Sequence, residues 1–214
     1  MKPLAFFLVS FLFSLNIASQ NLYFDLGFNF STVVESNNQI DEILQRSAAF
    51  GFGYSKPINN RFGFSFDTQY SVKGYRIRGA HHETFGFLPD GFTNFNYHYI
   101  DLIPAIHTQI YKGLNFFTGA NVGFKIVETH NGEKTEFPRH KTLDLGLLGG
   151  FSYNFDRAFV RLLANRGLVN PAKNLIISDI NEQEVGLLSY KSLNFQITIG
   201  ITIFEFDNKL RSAS

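Results

Sequence analysis

The sequence predicts an all-β protein, an eight-stranded antiparallel up-and-down transmembrane β-barrel. Three observations predict it. Apolar and polar residues alternate with a period of two in eight successive stretches. The connections between those stretches are alternately long and short. Within each stretch one face is bulky and apolar while the other is small or charged, which suits lipid outside and a narrow lumen inside.

The chain has 214 residues, a net charge of +1 and only 17% charged residues, fewer than the roughly 25% of an average soluble domain. That balance gives no pull toward nucleic acid. Cysteine is absent, which excludes disulfides and thiolate metal sites. Residues 1–19 read as a signal peptide: Lys2 opens it, Leu4 to Leu15 form the apolar run, and Ala18 and Ser19 precede a cut that leaves Gln20 first. The run is shorter than the ~20 residues a spanning helix needs. Residues 20–206 then form the barrel, and 207–214 a polar periplasmic tail.

The first strand, Leu22–Thr32, sets Leu22, Phe24, Leu26 and Phe28 against Tyr23, Asp25, Gly27 and Asn29. The second, Arg46–Lys56, sets Phe50 and Phe52 against Gly51 and Gly53, and "KPINNR" turns the chain. The third, Arg61–Tyr75, opposes Phe62, Phe64 and Phe66 to Gly63, Ser65 and Asp67. In the fourth, Phe95–Tyr111, Ile100, Leu102 and Ile106 oppose Asp101, Ala105 and His107; Pro104 predicts a bulge or local break. The fifth, Asn115–Thr129, sets Val122, Phe124 and Ile126 against Asn121, Gly123 and Lys125. The sixth, His140–Phe155, opposes Leu143, Leu145 and Leu147 to Asp144 and Gly146. The seventh, Arg157–Leu168, opposes Val160 and Leu162 to Arg157 and Arg161. The eighth begins near Tyr190; in "NFQITIGITIF", Phe195, Ile197, Ile199, Ile201 and Ile203 alternate with Asn194, Gln196, Thr198, Gly200 and Thr202. Residues 33–45, 76–94, 130–139 and 169–189 are the long connections; 57–60, 112–114 and 155–157 are the short ones. Short turns belong to the periplasmic side of an outer-membrane barrel, so both termini are expected there.

Volume decides which face is wet. An eight-stranded barrel leaves an interior just wide enough for side chains, and eight rows of Phe, Ile and Leu would overfill it. A Lys or Arg facing mid-bilayer would cost roughly 2–4 kcal/mol. Both arguments send the large residues outward and predict a lumen lined by Asp25, Asp67, Asp101, Lys125, Asp144, Arg157 and Arg161.

The segments "YFDLGFNFST", "NNRFGFSFDTQYSVKGY", "YHYIDLIPAIHTQIYKGLNFFTGANVGF" and "YKSLNFQITIGITIF" resemble the outer membrane beta-barrel domain family often labelled PorT-like. Tyr70, Ser71, Lys73 and Gly74 of "FDTQYSVKG" match its third-strand pattern. Tyr99, Asp101 and Pro104 of "YIDLIP" match the fourth, and Gly119 and Gly123 the fifth, with Ala120 where proline is common. The resemblance covers nearly the whole chain after residue 20 and implies the fold. PorT itself takes part in a Gram-negative protein-secretion system, but no motif here singles out that role.

Buried charges need partners, so the lumen charges read as a polar plug; a narrow ion path or proton relay is the competing reading. His81, His82, Glu83, His130 and His140 fall in or beside the second and third long connections, where solvated histidines are favoured over a metal site. His98, Asp101, His130 and His140 lie near the outer rim, with Asp90 in a loop, yet no spacing sets a nucleophile beside a base. Phe85, Phe87, Phe92 and Phe95 mark either a contact surface or an interfacial girdle, and "NLIISDINEQEVGLL" either extends a hairpin or folds over the mouth. The reading is a small non-enzymatic outer-membrane barrel that binds or scaffolds through its extracellular loops. An accessory part in PorT-like secretion, a small channel and a rim enzyme are the alternatives. Outer-membrane lipid, and a protein or glycan at the loops, are the expected partners of a monomeric chain; no cofactor, metal or nucleic acid is expected.

Overall fold

The computed structural model describes residues 20–35, 42–79, 91–134, 142–169, 176–178, 184–187 and 190–206. The expected signal peptide, the polar tail, and His81, His82, Glu83, Asp90 and His140 lie outside them. Eight long strands run in order: β1 (Gln20–Glu35), β2 (Gln45–Pro57), β3 (Phe62–Gly79), β4 (Gly91–Tyr111), β5 (Leu114–His130), β6 (Leu143–Phe155), β7 (Ala158–Gly167) and β8 (Tyr190–Phe206). Each pairs antiparallel with its neighbours in sequence, and β8 pairs with β1 from Gln20↔Phe206 to Glu35↔Tyr190, which closes the barrel. Closure leaves no sheet edge to be satisfied in lipid.

The short turns sit where the sequence predicts them. Between β2 and β3, Asn59 Oδ1 accepts hydrogen bonds from the backbone N–H of Arg61 (2.9 Å) and Phe62 (2.8 Å), an Asx turn. Gly113 (φ 76°) and Asp156 (φ 54°) take the left-handed conformation in the two-residue turns after β4 and β6. The long connections differ from expectation. β3 and β4 extend past the apolar belt as far as Gly79↔Gly91, and Glu42–Ile43 adds to the β3 edge. Asn131 (φ 50°) and Gly132 (φ 91°) make a tight hairpin that pairs His130 with Glu133. Residues Ile176–Ser178 pair with Glu184–Leu187, so that part of the last long connection is a hairpin.

Pro104 sits in β4 without a bulge. The β4–β5 ladder is interrupted between Leu102↔Val122 and Ala105↔Gly119 and resumes in the same register, because proline has no N–H to donate. A bulge occurs elsewhere, between His98 and Tyr99 against Val127 and Lys125.

The faces are inverted relative to a soluble protein. Phe28 is 62% exposed, Ile199 58% and Leu147 57%, whereas Asp25 and Asp101 are each 2% exposed. A continuous apolar outer wall far exceeds the few hundred Å² that soluble monomers leave bare.

Candidate functional site

The lumen holds two deep ion clusters, each with one cation between two carboxylates. In the first, Arg161 of β7 reaches across the bore. Its Nη1 lies 3.2 Å from Asp67 Oδ2 on β3, the strand opposite, and 3.8 Å from Asp25 Oδ2 on β1. Nη2 donates to the Tyr23 hydroxyl at 3.1 Å, and that hydroxyl donates to Asp67. The guanidinium also lies over the rings of Phe117 and Phe159 (5.0 Å each) and Tyr23 (5.4 Å). Glycines opposite make room for these rings. A Cβ on Gly53 would fall 2.2 Å from the Tyr23 ring, and one on Gly200 2.1 Å from Phe159.

In the second cluster, Lys73 Nζ lies 2.8 Å from Asp101 Oδ1 and 3.0 Å from Asp144 Oδ2, with Ser71 donating to Asp101 and the Tyr99 ring 4.7 Å away. Nearer the long connections, Lys125 Nζ meets Glu128 Oε2 at 2.6 Å, and His130 Nε2 lies 3.7 Å from the other Glu128 oxygen. Gln196 donates to Gln69 across the bore at 2.8 Å.

Beside this polar framework lies an apolar belt. Ile103 and Ala105 of β4, Phe117 of β5, Leu148 of β6 and Leu163 of β7 pack together inside the barrel. The β4–β7 side of the lumen is therefore apolar at this level, while the same strands carry Asp101, Asp144 and Arg161 at other levels. Cavities remain, two of them lined wholly by described residues. One of about 20 Å³ lies against Lys73, Asp101, Asn121, Leu163 and Asn194. The other, about 110 Å³, opens toward the short turns between Ser65, His107, Asn115 and Arg161. They share no lining residue, and the level of Asp25, Asp67 and Thr198 separates them.

An inverted, closed barrel of eight strands with paired ions inside has its counterpart among known families. Residues 13–171 match the family described as outer membrane protein beta-barrel domain. The chain belongs to the outer membrane protein beta-barrel domain family. Such a barrel belongs to the cell outer membrane. Among solved structures the chain is similar in fold to Neisserial surface protein A (NspA), at 12% identity and a TM-score of 0.52, covering 85% of this chain and 97% of that one. Ail, the attachment invasion locus protein of Yersinia pestis crystallised with the heparin analogue sucrose octasulfate, matches at 13% identity, TM-score 0.48, covering 87% and 99%. OprG of Pseudomonas aeruginosa matches at 12%, TM-score 0.42, covering 87% and 96%. No curated protein matches the chain.

Within this outer-membrane barrel, the lumen residues expected from sequence fall into three places. Asp25, Asp67 and Arg161 meet in one cluster, Asp101 and Asp144 in the other, and Lys125 stands apart with Glu128. Arg157 is a correction: it belongs to the turn after β6, is exposed, and takes no part in the lumen. Two members were missed. Lys73 shares the phase of Asp67, Gln69 and Ser71 on β3, a signal that could have found it. Glu128 was hidden because the bulge at Lys125–Val127 shifts the phase of β5, putting residues three apart on one face.

Among the described outer-rim residues, His98 and Asp101 are not brought together. His98 faces outward, its Nδ1 2.5 Å from the Tyr70 hydroxyl, while Asp101 faces the lumen. Among the described residues no group of three His, Asp or Glu is placed to hold a metal.

Proposed function

We propose that this outer-membrane barrel is a small, non-enzymatic envelope protein whose lumen is a plug and whose work lies outside it. The long connections bind a protein or glycan partner or scaffold the envelope, and both termini lie in the periplasm. The observation that carries this reading is the Arg161 cluster: one side chain tied to Asp25, Asp67 and Tyr23 bridges opposite walls between the two cavities. A bore crossed by a desolvated ion cluster holds its charges against one another rather than offering them to a passing ion. An accessory part in PorT-like secretion is the alternative, and it rests on the resemblance around Tyr70–Gly74 and Tyr99–Pro104 alone.

Planar-bilayer conductance tests the plug. The unaltered barrel is expected to give no steady steps, and Arg161→Ala is expected to join the cavities and produce them. Steady single-channel steps from the unaltered protein would refute the plug. Crosslinking in the intact outer membrane, followed by identification of the captured chain, separates a loop partner from a secretion assembly.

A further inference from the structure

β7 has ten residues, against 13 in β6 and 17 in β8. At ~3.3 Å per residue and a tilt near 45°, such a strand rises about 23 Å, slightly less than the ~25 Å apolar belt of an outer-membrane barrel. Its penultimate residue, Arg166, is exposed and in phase with the outward Leu162 and Ala164. Register sets Arg166 level with Leu147 on β6 and Leu193 on β8. Lys191 stands two residues further along β8 on the same exposed face, diagonal to Arg166 at about 7–8 Å. Of the described side chains around this pair on the outer wall, Leu145, Leu147, Ala164, Leu168 and Leu193 are apolar, Thr32 is uncharged, and none is a counter-charge.

Below the pair the wall is indented. Gly149 lies beside Ala164 and Thr118 in register, and a Cβ on it would meet only the Phe117 carbonyl, at 3.7 Å. Phe151, Leu162 and Leu147 stand proud around this notch.

A guanidinium and an ammonium at the edge of hydrocarbon, with leucines on both sides, recruit an anion at headgroup depth. We infer that Arg166 and Lys191 hold the phosphate of an outer-leaflet lipid whose acyl chain lies along the notch at Thr118, Gly149 and Ala164. A lipid fits better than a protein carboxylate, because the surrounding leucines and the notch call for a hydrocarbon chain attached to the anion. The outer-leaflet assignment rests on the orientation proposed above.

The test is native mass spectrometry of the folded barrel released from micelles containing bis-phosphorylated lipid A. The unaltered protein is expected to retain one lipid A. Dephosphorylated lipid A, and the R166A/K191A variant with intact lipid A, are each expected to bind at least tenfold more weakly. Arg166→Lys is expected to retain binding. R61A/K112A, which removes exposed cations at the short turns, is expected to bind as the unaltered protein does. Unboiled gel mobility confirms that every variant is folded. Equal retention of lipid A by R166A/K191A, or indifference to the phosphates, would overturn the site. A dimer lost on R166A/K191A would place a second copy there and overturn the lipid. Preference for phosphatidylglycerol over lipid A would overturn the outer-leaflet assignment while leaving the plug reading to its own conductance test.

Discussion

Replacing Lys73 by methionine keeps much of the stem and removes the charge. The side chains of Lys73, Asp101 and Asp144 are 7%, 3% and 5% exposed, so solvent screens their contacts poorly. At an effective dielectric near 20 and a separation near 3 Å, each attraction amounts to about 5 kcal/mol before the desolvation of the ions offsets it. Removal of the ammonium leaves Asp101 and Asp144 buried and uncompensated, a change that typically costs about 3–5 kcal/mol. Ser71 still donates to Asp101, which holds that carboxylate in place without neutralising it. The barrel should be refolded into phospholipid vesicles and unfolded in urea, the folded fraction being read from unboiled gel mobility. Lys73→Met is expected to lower stability by about 3–5 kcal/mol, and K73M/D101N/D144N to recover most of it because no net charge remains buried. A loss below about 1 kcal/mol for the single variant, or a triple variant no better than the single, would refute the reasoning that charge compensation rather than packing holds this level of the lumen.

Other consequences are open to the same vesicle assay. Gly53→Ala drives a Cβ to 2.2 Å from both the Tyr23 ring and Asp67 Oδ1, so a loss of about 1–3 kcal/mol is expected; Gly149→Ala, with free space outside, should change stability by less than about 0.5 kcal/mol. Ile199→Arg puts a cation on the lipid face near mid-strand and should cost roughly 2–4 kcal/mol, whereas Ile203→Arg, close to the short turns, should cost no more than about 1 kcal/mol. Equal penalties at the two positions would contradict the depth assigned to them.

The fold was legible because alternation with a period of two survives almost unbroken, and because bulk rather than polarity alone separates the faces. Phe195, Ile197, Ile199, Ile201 and Ile203 face out, and Asn194, Gln196 and Thr198 face in, as that rule requires. The lumen was less legible where residue type was used in place of phase. Ile103, Phe117, Leu148 and Leu163 are apolar yet face inward, because the side chains of the neighbouring strands β4–β7 pack against one another along one side of a narrow bore. Lys73 lay in phase with Asp67 but beyond the stretch that alternates most cleanly, and Glu128 followed a bulge that no composition rule reveals. Arg157 had the right phase and the wrong height: a turn residue has solvent, not the bore, to reach into.

The pairing of β8 with β1 along its whole length sets a condition on biogenesis. The ring is joined by the eighth strand, so a nascent chain that ends at β7 carries two bare hydrogen-bonding margins and a greasy exterior at once. Helices can enter a bilayer one at a time, but these strands cannot, since each unpaired backbone group in hydrocarbon would cost several kcal/mol. The polypeptide must therefore be kept from self-association in water until Tyr190–Phe206 is available, and then enter the membrane as a unit. Deleting that segment should leave a chain that precipitates or is degraded rather than a smaller barrel.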